Sequence, residues 1–238
     1  MDFVCFIGKN RVGKTAMTQS LRGLLHAGSK KAAICLTLAD ALREDLVTDY
    51  GIPPEIAFDK VNDKSKIIID FSEHIINERI VELWEAYNLI ESKAKFNSMK
   101  ISLLQLLLIH GEDICRRQNK HYFTDRFDIR LKEAISKSCI PEDQIVVVCD
   151  DLRNPIDFEY FEEKQAKFYH VCNGANAYPN LLQDKLIGWI ENNPDKITSK
   201  IEVQIPLLRY NADRFNIQYV IPNILPRKKH ECVYFDWR

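Results

Sequence analysis

The sequence predicts an α/β fold: a parallel sheet flanked by helices in three layers, with one largely helical insertion. Three observations carry this. An apolar run, Phe3 to Ile7, leads into GKNRVGKT, Gly8 to Thr15, and that stretch opens a helical pattern, Ala16 to Leu25, with Met17, Leu21, Leu24 and Leu25 on one stripe. A second apolar run, IVVVCDD at Ile145 to Asp151, ends in two carboxylates. Beyond it strand, loop, helix and strand alternate, the rhythm of a parallel sheet.

The elements follow in order. Ala32 to Leu36 reads as a short strand before a helix, Ala39 to Val47, that carries Asp40, Arg43, Glu44 and Asp45. Gly51 to Lys66, with Pro53 and Pro54, breaks that helix into a loop. Ile67 to Lys95 is charged, lacks Gly and Pro, and reads as mostly helical; Ile101 to Gln118 and Asp125 to Ser138 are further helices. After the strand Gln144 to Cys149 come a helix, Ile156 to Ala166, the strand KFYHV from Lys167, a loop with Gly174, Asn176 and Pro179, and a helix, Leu181 to Glu191. The tail from Ile201 is irregular, with a last strand expected near Ile217 to Ile221.

The chain has 238 residues, 46% of them hydrophobic, and no long polar linker, which favours one domain over 1–238 with the helical insertion at about 51–140. Lys plus Arg number 33 against 34 Asp plus Glu, so the balance shows no nucleic-acid footprint and no membrane-surface patch. No run approaches the ~18 apolar residues of a membrane span, and the start does not read as a signal peptide. A cytoplasmic protein is expected. The seven cysteines include no CxxC; Cys5, Cys149 and Cys172 fall in expected strands, where cysteine behaves as a small hydrophobe.

GKNRVGKT matches the phosphate-loop pattern GxxxxGK[ST] at every specified position, in the strand-loop-helix context the pattern needs. Its glycines let backbone wrap a polyphosphate, and the helix N-terminus adds partial positive charge. Gly8, Asn10, Arg11, Val12, Gly13, Lys14, Thr15 and Ala16 are the candidate ATP cradle, with Lys14 for the phosphates and the Thr15 hydroxyl for Mg²⁺. IVVVCDD has the Walker-B form, so Asp150 and Asp151 join Thr15 as candidate metal ligands, directly or through water. Phosphoryl transfer between two nucleotides concentrates negative charge, and Arg116, Arg117 and Arg153 supply forked donors for it. Arg79 and Arg130, on charged helices, read as solvated surface.

In order, GxxxxGK[ST], LADALR at Leu38 to Arg43, LLQxLLxHGEDxxRR at Leu103 to Arg117, and a strand followed by DxR at Asp151 to Arg153 resemble the deoxynucleoside monophosphate kinases of bacteriophages. KFYHV matches that family's strand ending in His-Val, and YVIPN, Tyr219 to Asn223, loosely matches its closing strand. The resemblance spans nearly the whole chain, though only the phosphate loop is specific by itself. It departs in several places: Gly111 follows His110 where LG is usual, Tyr122 or Phe123 stands for a tryptophan, Asp157 for a glutamate, and Gln218 for an acid.

The resemblance implies a three-layer P-loop kinase fold whose insertion binds substrate or acts as a lid. It implies transfer of the γ-phosphoryl group of ATP to a deoxynucleoside 5′-monophosphate with Mg²⁺, in the cytoplasm, the host's if the chain is viral. Asp40, Arg43, Lys100, Gln105 and Asp157 fall at positions expected to meet the acceptor, and the DxR match weights the metal role toward Asp151 over Asp150. A homodimer stays open. TDRFD at Thr124 to Asp128 only partly matches the thymidylate kinase element, and Asn119-Lys120 lacks the acid of a guanine-reading NKxD. The alternative in a different class is a P-loop ATPase or regulatory switch with no nucleotide acceptor.

Overall fold

The computed structural model describes residues 1–9, 12–28, 30–59, 62–172, 181–202, 214–216 and 234–236. Two compact units divide the chain, Met1–Leu36 with Leu131–Arg238, and Thr37–Arg130. The first begins with β1 (Asp2–Ile7), α1 (Lys14–Gly28) and β2 (Ala32–Cys35). The second holds α2 (Ala39–Tyr50), α3 (Pro54–Ala57), β3 (Ile68–Asp70), α4 (Glu78–Ala86), α5 (Lys93–Asn97), β4 (Lys100–Ser102), α6 (Leu103–Leu108), a π-helical segment (Ile109–Cys115) and α7 (Arg116–Gln118). The division falls within α8 (Tyr122–Lys137). The first unit then resumes with β5 (Ile145–Cys149), α9 (Pro155–Glu163), β6 (Lys167–Cys172), α10 (Leu181–Glu191), β7 (Ser199–Glu202), β8 (Arg214–Asn216) and β9 (Tyr234–Asp236).

The first unit is built on a five-stranded parallel sheet in the order β2-β5-β1-β6-β7. Strand residues alternate faces. On one face Val4, Phe6, Val146, Val148, Tyr169 and Val171 form one core with Met17, Leu21 and Leu25 of α1. On the other, Phe158 of α9 stacks on Phe168 at 3.9 Å and meets Trp189 of α10, while Phe161 approaches Phe3. β1 and β5 thus send their following helices to opposite faces. Their carboxyl ends border the crevice in which open α/β sheets bind ligands. β8 and β9 form a separate antiparallel pair. The strand expected at Ile217 to Ile221 lies outside the described residues.

The second unit is mostly helical around its own core, in which Leu46, Tyr50, Phe71, Trp84, Phe96, Leu103 and Ile114 are buried. It reaches beyond the expected insertion at its start, taking in α2, and ends before it, at Arg130. Ile67 to Lys95 is only about half helical. The β-branched Ile68 and Ile69 form β3, paired antiparallel with β4, and the helical parts there are a 3-10 turn at Phe71–Glu73, α4 and the start of α5. Ile101 to Gln118 is not one α-helix either: β4 runs to Ser102, Ser102 and Gln105 then form a reciprocal capping box that starts α6, and the winding loosens to π over Ile109–Cys115.

Among the described residues no helix is long and apolar enough to cross a membrane.

Candidate functional site

The loop after β1 is held by backbone needs that only glycine meets. A Cβ on Gly8 would lie 2.3 Å from the Val171 carbonyl oxygen, and Gly13 has φ +100°. Val12 anchors the loop in the core at 1% exposure, and Met17 N–H donates to the Gly13 carbonyl at 3.0 Å as α1 begins. Lys14 is 9% exposed and its Nζ donates to the carbonyls of Gly8 at 2.7 Å and Lys9 at 2.8 Å, folding the side chain back over the loop. Thr15 is exposed and Ala16 half-buried; Asn10 and Arg11 lie outside the described residues.

β5 is buried at all five positions and delivers its two following acids to the same sheet edge. Asp150 is 9% exposed and its Oδ2 accepts from Thr18 Oγ1 at 3.3 Å, with Thr15 near enough to help hold its charge. Asp151 is half-buried beside the Cys149 thiol, 3.3 Å from Sγ to Oδ1. Of the two acids, Asp150 is the one that accepts a hydrogen bond from α1, through Thr18.

The charges are coupled. Burial, and then the Arg153 guanidinium, lower Lys14 to about 8, against the pull of Asp150 and Asp151. Burial, and then Asp151, raise the Asp150 carboxyl above its usual range, opposed by Thr15, Lys14 and Thr18. Arg153 follows β5 just before Asn154, which caps α9 by accepting from Ile156 N–H at 3.2 Å. Its Nε is buried with no hydrogen-bond partner among the described residues. Asp157, 1% exposed, sits in the first turn of α9, where the helix dipole favours a carboxylate. Two cations, two carboxylates and two hydroxyls at a helix N-terminus form a donor set for a polyphosphate and a hard cation.

In the second unit, Asp40 pairs with Arg43, which is buried, and accepts from Arg130 Nη2 at 3.2 Å. Arg130 also donates to the Thr37 carbonyl at 3.2 Å and pairs with Glu44, which holds Arg126 as well. Arg130 is thus not the solvated surface charge expected of it. Its helix lays a basic edge along α2, a relation that neither stretch reveals alone. Arg79 is exposed. Lys100 pairs with Asp70, its cross-strand neighbour, and the Gln105 side chain is engaged in the capping box. Arg116 bonds Glu112 at 3.1 Å and lies over Phe123, while Arg117 stacks on Tyr87 and reaches the Tyr87 carbonyl.

A further cluster escaped the sequence. Asp45 Oδ2 accepts from the Tyr122 hydroxyl at 2.6 Å, lies 3.5 Å from His110 Nε2, and is approached by Cys115 Sγ at 3.9 Å. Tyr50 Oη meets His110 Nδ1 at 2.9 Å and accepts from Trp84 Nε1 at 2.9 Å. Burial, and then the Asp45 charge, push the Cys115 thiol well up. The spacing of His110 and Cys115 was visible, but read as α-helix it sets them apart. No protein-family model matches the chain, and no curated protein matches it.

Proposed function

We propose that the chain is a P-loop kinase that moves the γ-phosphoryl group of ATP onto a deoxynucleoside 5′-monophosphate, yielding two diphosphates. The observation that supports it best is the placing of Lys14 over the glycine loop and of Asp150 against Thr18 of α1 at one sheet edge, with Arg153 acting on the Lys14 charge. ATP and Mg²⁺ fit these residues: the glycine loop leaves a cradle that a Cβ on Gly8 would disturb, and Arg153 carries a buried donor without a partner among the described residues. Mg²⁺, when bound, neutralises phosphate charge and orients the phosphates.

In this reading the Lys14 ammonium exchanges the carbonyls of Gly8 and Lys9 for phosphate oxygens. Thr15 and Asp150 hold the metal side, and Arg153 offers its guanidinium to the charge that develops on transfer. No side chain acts as a covalent carrier; positioning and charge do the chemistry. The acceptor half rests on the resemblance, with Asp40 and Arg43 as its first candidates and the second unit as the substrate-binding insertion. Such an enzyme works in the cytoplasm, the host's if the chain is viral.

A P-loop ATPase or switch is the second reading, and one observation favours it: Arg116 and Arg117, the surplus arginines, are both engaged by neighbours in their own unit. Incubation with ATP, Mg²⁺ and each common nucleoside monophosphate separates the two. A kinase forms ADP and the acceptor diphosphate together and only with acceptor; a switch releases ADP and phosphate without one.

A further inference from the structure

We propose that Asp45, His110 and Cys115 form a binding site for a zinc-class divalent cation inside the Thr37–Arg130 unit. This does not rest on the phosphoryl-transfer reading. The three residues are each at most 8% exposed, and their ligand atoms lie within 4.8 Å of one another. Tetrahedral zinc, with bonds of roughly 2.0–2.3 Å, holds its ligand atoms about 3.3–3.8 Å apart. The observed separations from Asp45 Oδ2, 3.5 Å to His110 Nε2 and 3.9 Å to Cys115 Sγ, are close to those edges.

Two independent features point the same way. His110 is 2% exposed and its Nε2 has no hydrogen-bond partner among the described residues, although it faces the carboxylate. Its other nitrogen is fixed by Tyr50, itself held by Trp84, the kind of outer support that orients a ligating imidazole. The Tyr122 hydroxyl orients the carboxylate in the same manner.

The second feature is the π-helical winding. On an α-helix, residues five apart point about 140° away from each other. Hydrogen bonds of the i to i+5 kind over Ile109–Cys115 stack such residues instead, which brings His110 and Cys115 to one side. π-Helical turns concentrate at functional sites for this reason. Charge and softness choose the ion. One thiolate and one carboxylate balance a dication, and a sulfur-nitrogen-oxygen set suits zinc while Mg²⁺ takes oxygen ligands.

The test uses the full chain, nucleotide-free and without a histidine tag, exposed to Zn²⁺ and dialysed against metal-free buffer. About one zinc per chain should remain, and Cys115→Ser and Asp45→Asn should each weaken its retention by at least about tenfold. Cys139→Ser, exposed and outside the cluster, should retain it. Should the cluster variants fail to fold, Co²⁺ titration of the unaltered chain decides, because a thiolate ligand gives cobalt a sulfur-to-metal charge-transfer band. No such band, or the same zinc content in folded Cys115→Ser, overturns the proposal.

Discussion

The polar clusters of the two units are made in different ways. At the sheet edge of the first, the groups come from two short stretches, Gly8 to Thr18 and Asp150 to Arg153, each continuous in sequence. In the second, Asp45 and Tyr122 meet across 77 residues, and His110 and Cys115 join them through an unusual helical winding. The loop site keeps mixed, partly reachable charge, with Thr15 exposed; in the other cluster Asp45, His110 and Cys115 are closed off at 8% exposure or less. The difference teaches that a cluster written in consecutive residues can be expected from the sequence. One assembled by packing has to be read from which buried atoms lack a partner.

The largest effect expected from breaking this contrast belongs to Lys14. Lys14→Met keeps the stem in its buried channel and removes the charge, so turnover should fall about 1,000-fold while the fold, followed by circular dichroism, stays intact. Unchanged turnover at saturating ATP would remove the first unit's site from the chemistry. Next comes Arg153→Ala, which should lower kcat about 100-fold yet leave ATP binding without acceptor nearly unchanged. Arg117→Ala, whose guanidinium is already spent on Tyr87, should lower it less.

Asp150→Asn should raise the Mg²⁺ concentration needed for half-maximal activity by about 10–100-fold, and Asp151→Asn by less. The reverse order would restore the register that DxR suggested. For the second unit, Tyr50→Phe leaves both His110 Nδ1 and Trp84 Nε1 without their buried partner. It should cost about 1–3 kcal/mol in urea unfolding, against no change in nucleotide affinity.

The smallest effect is in pH. With Lys14 lowered to about 8, a growing share of it is neutral above that pH in the nucleotide-free protein, and bound phosphate draws a proton back. Nucleotide affinity should therefore fall as pH rises past about 8, with proton uptake visible by calorimetry in buffers of differing ionisation heat. Both signals should vanish in Lys14→Met.

The parallel strands, α1 and the glycine loop between β1 and α1 were legible because each is a local pattern: apolar runs of strand length, a helical stripe, and glycines at fixed offsets. The choice between Asp150 and Asp151 was not, since both acids satisfy the sequence pattern and only the fold shows that Asp150 meets Thr18. Ile67 to Lys95 misled in part because an absence of Gly and Pro permits helix without requiring it, and Ile68 and Ile69 pair with Ser102 and Ile101 of β4. Gln105 matched an acceptor position in LLQ, but its side chain starts α6. Arg130 looked solvated because its partners, Asp40 and Glu44, lie on a distant helix. The π winding that joins His110 to Cys115 has no signature in hydrophobic periodicity.

The most direct measurement of the central claim is the separation of diphosphates after incubation with ATP, Mg²⁺ and single nucleoside monophosphates. The kinase reading predicts ADP and one deoxynucleoside diphosphate in equal amounts, neither of them without acceptor, and both abolished in Lys14→Met. ADP and free phosphate released at the same rate with no acceptor present would contradict it.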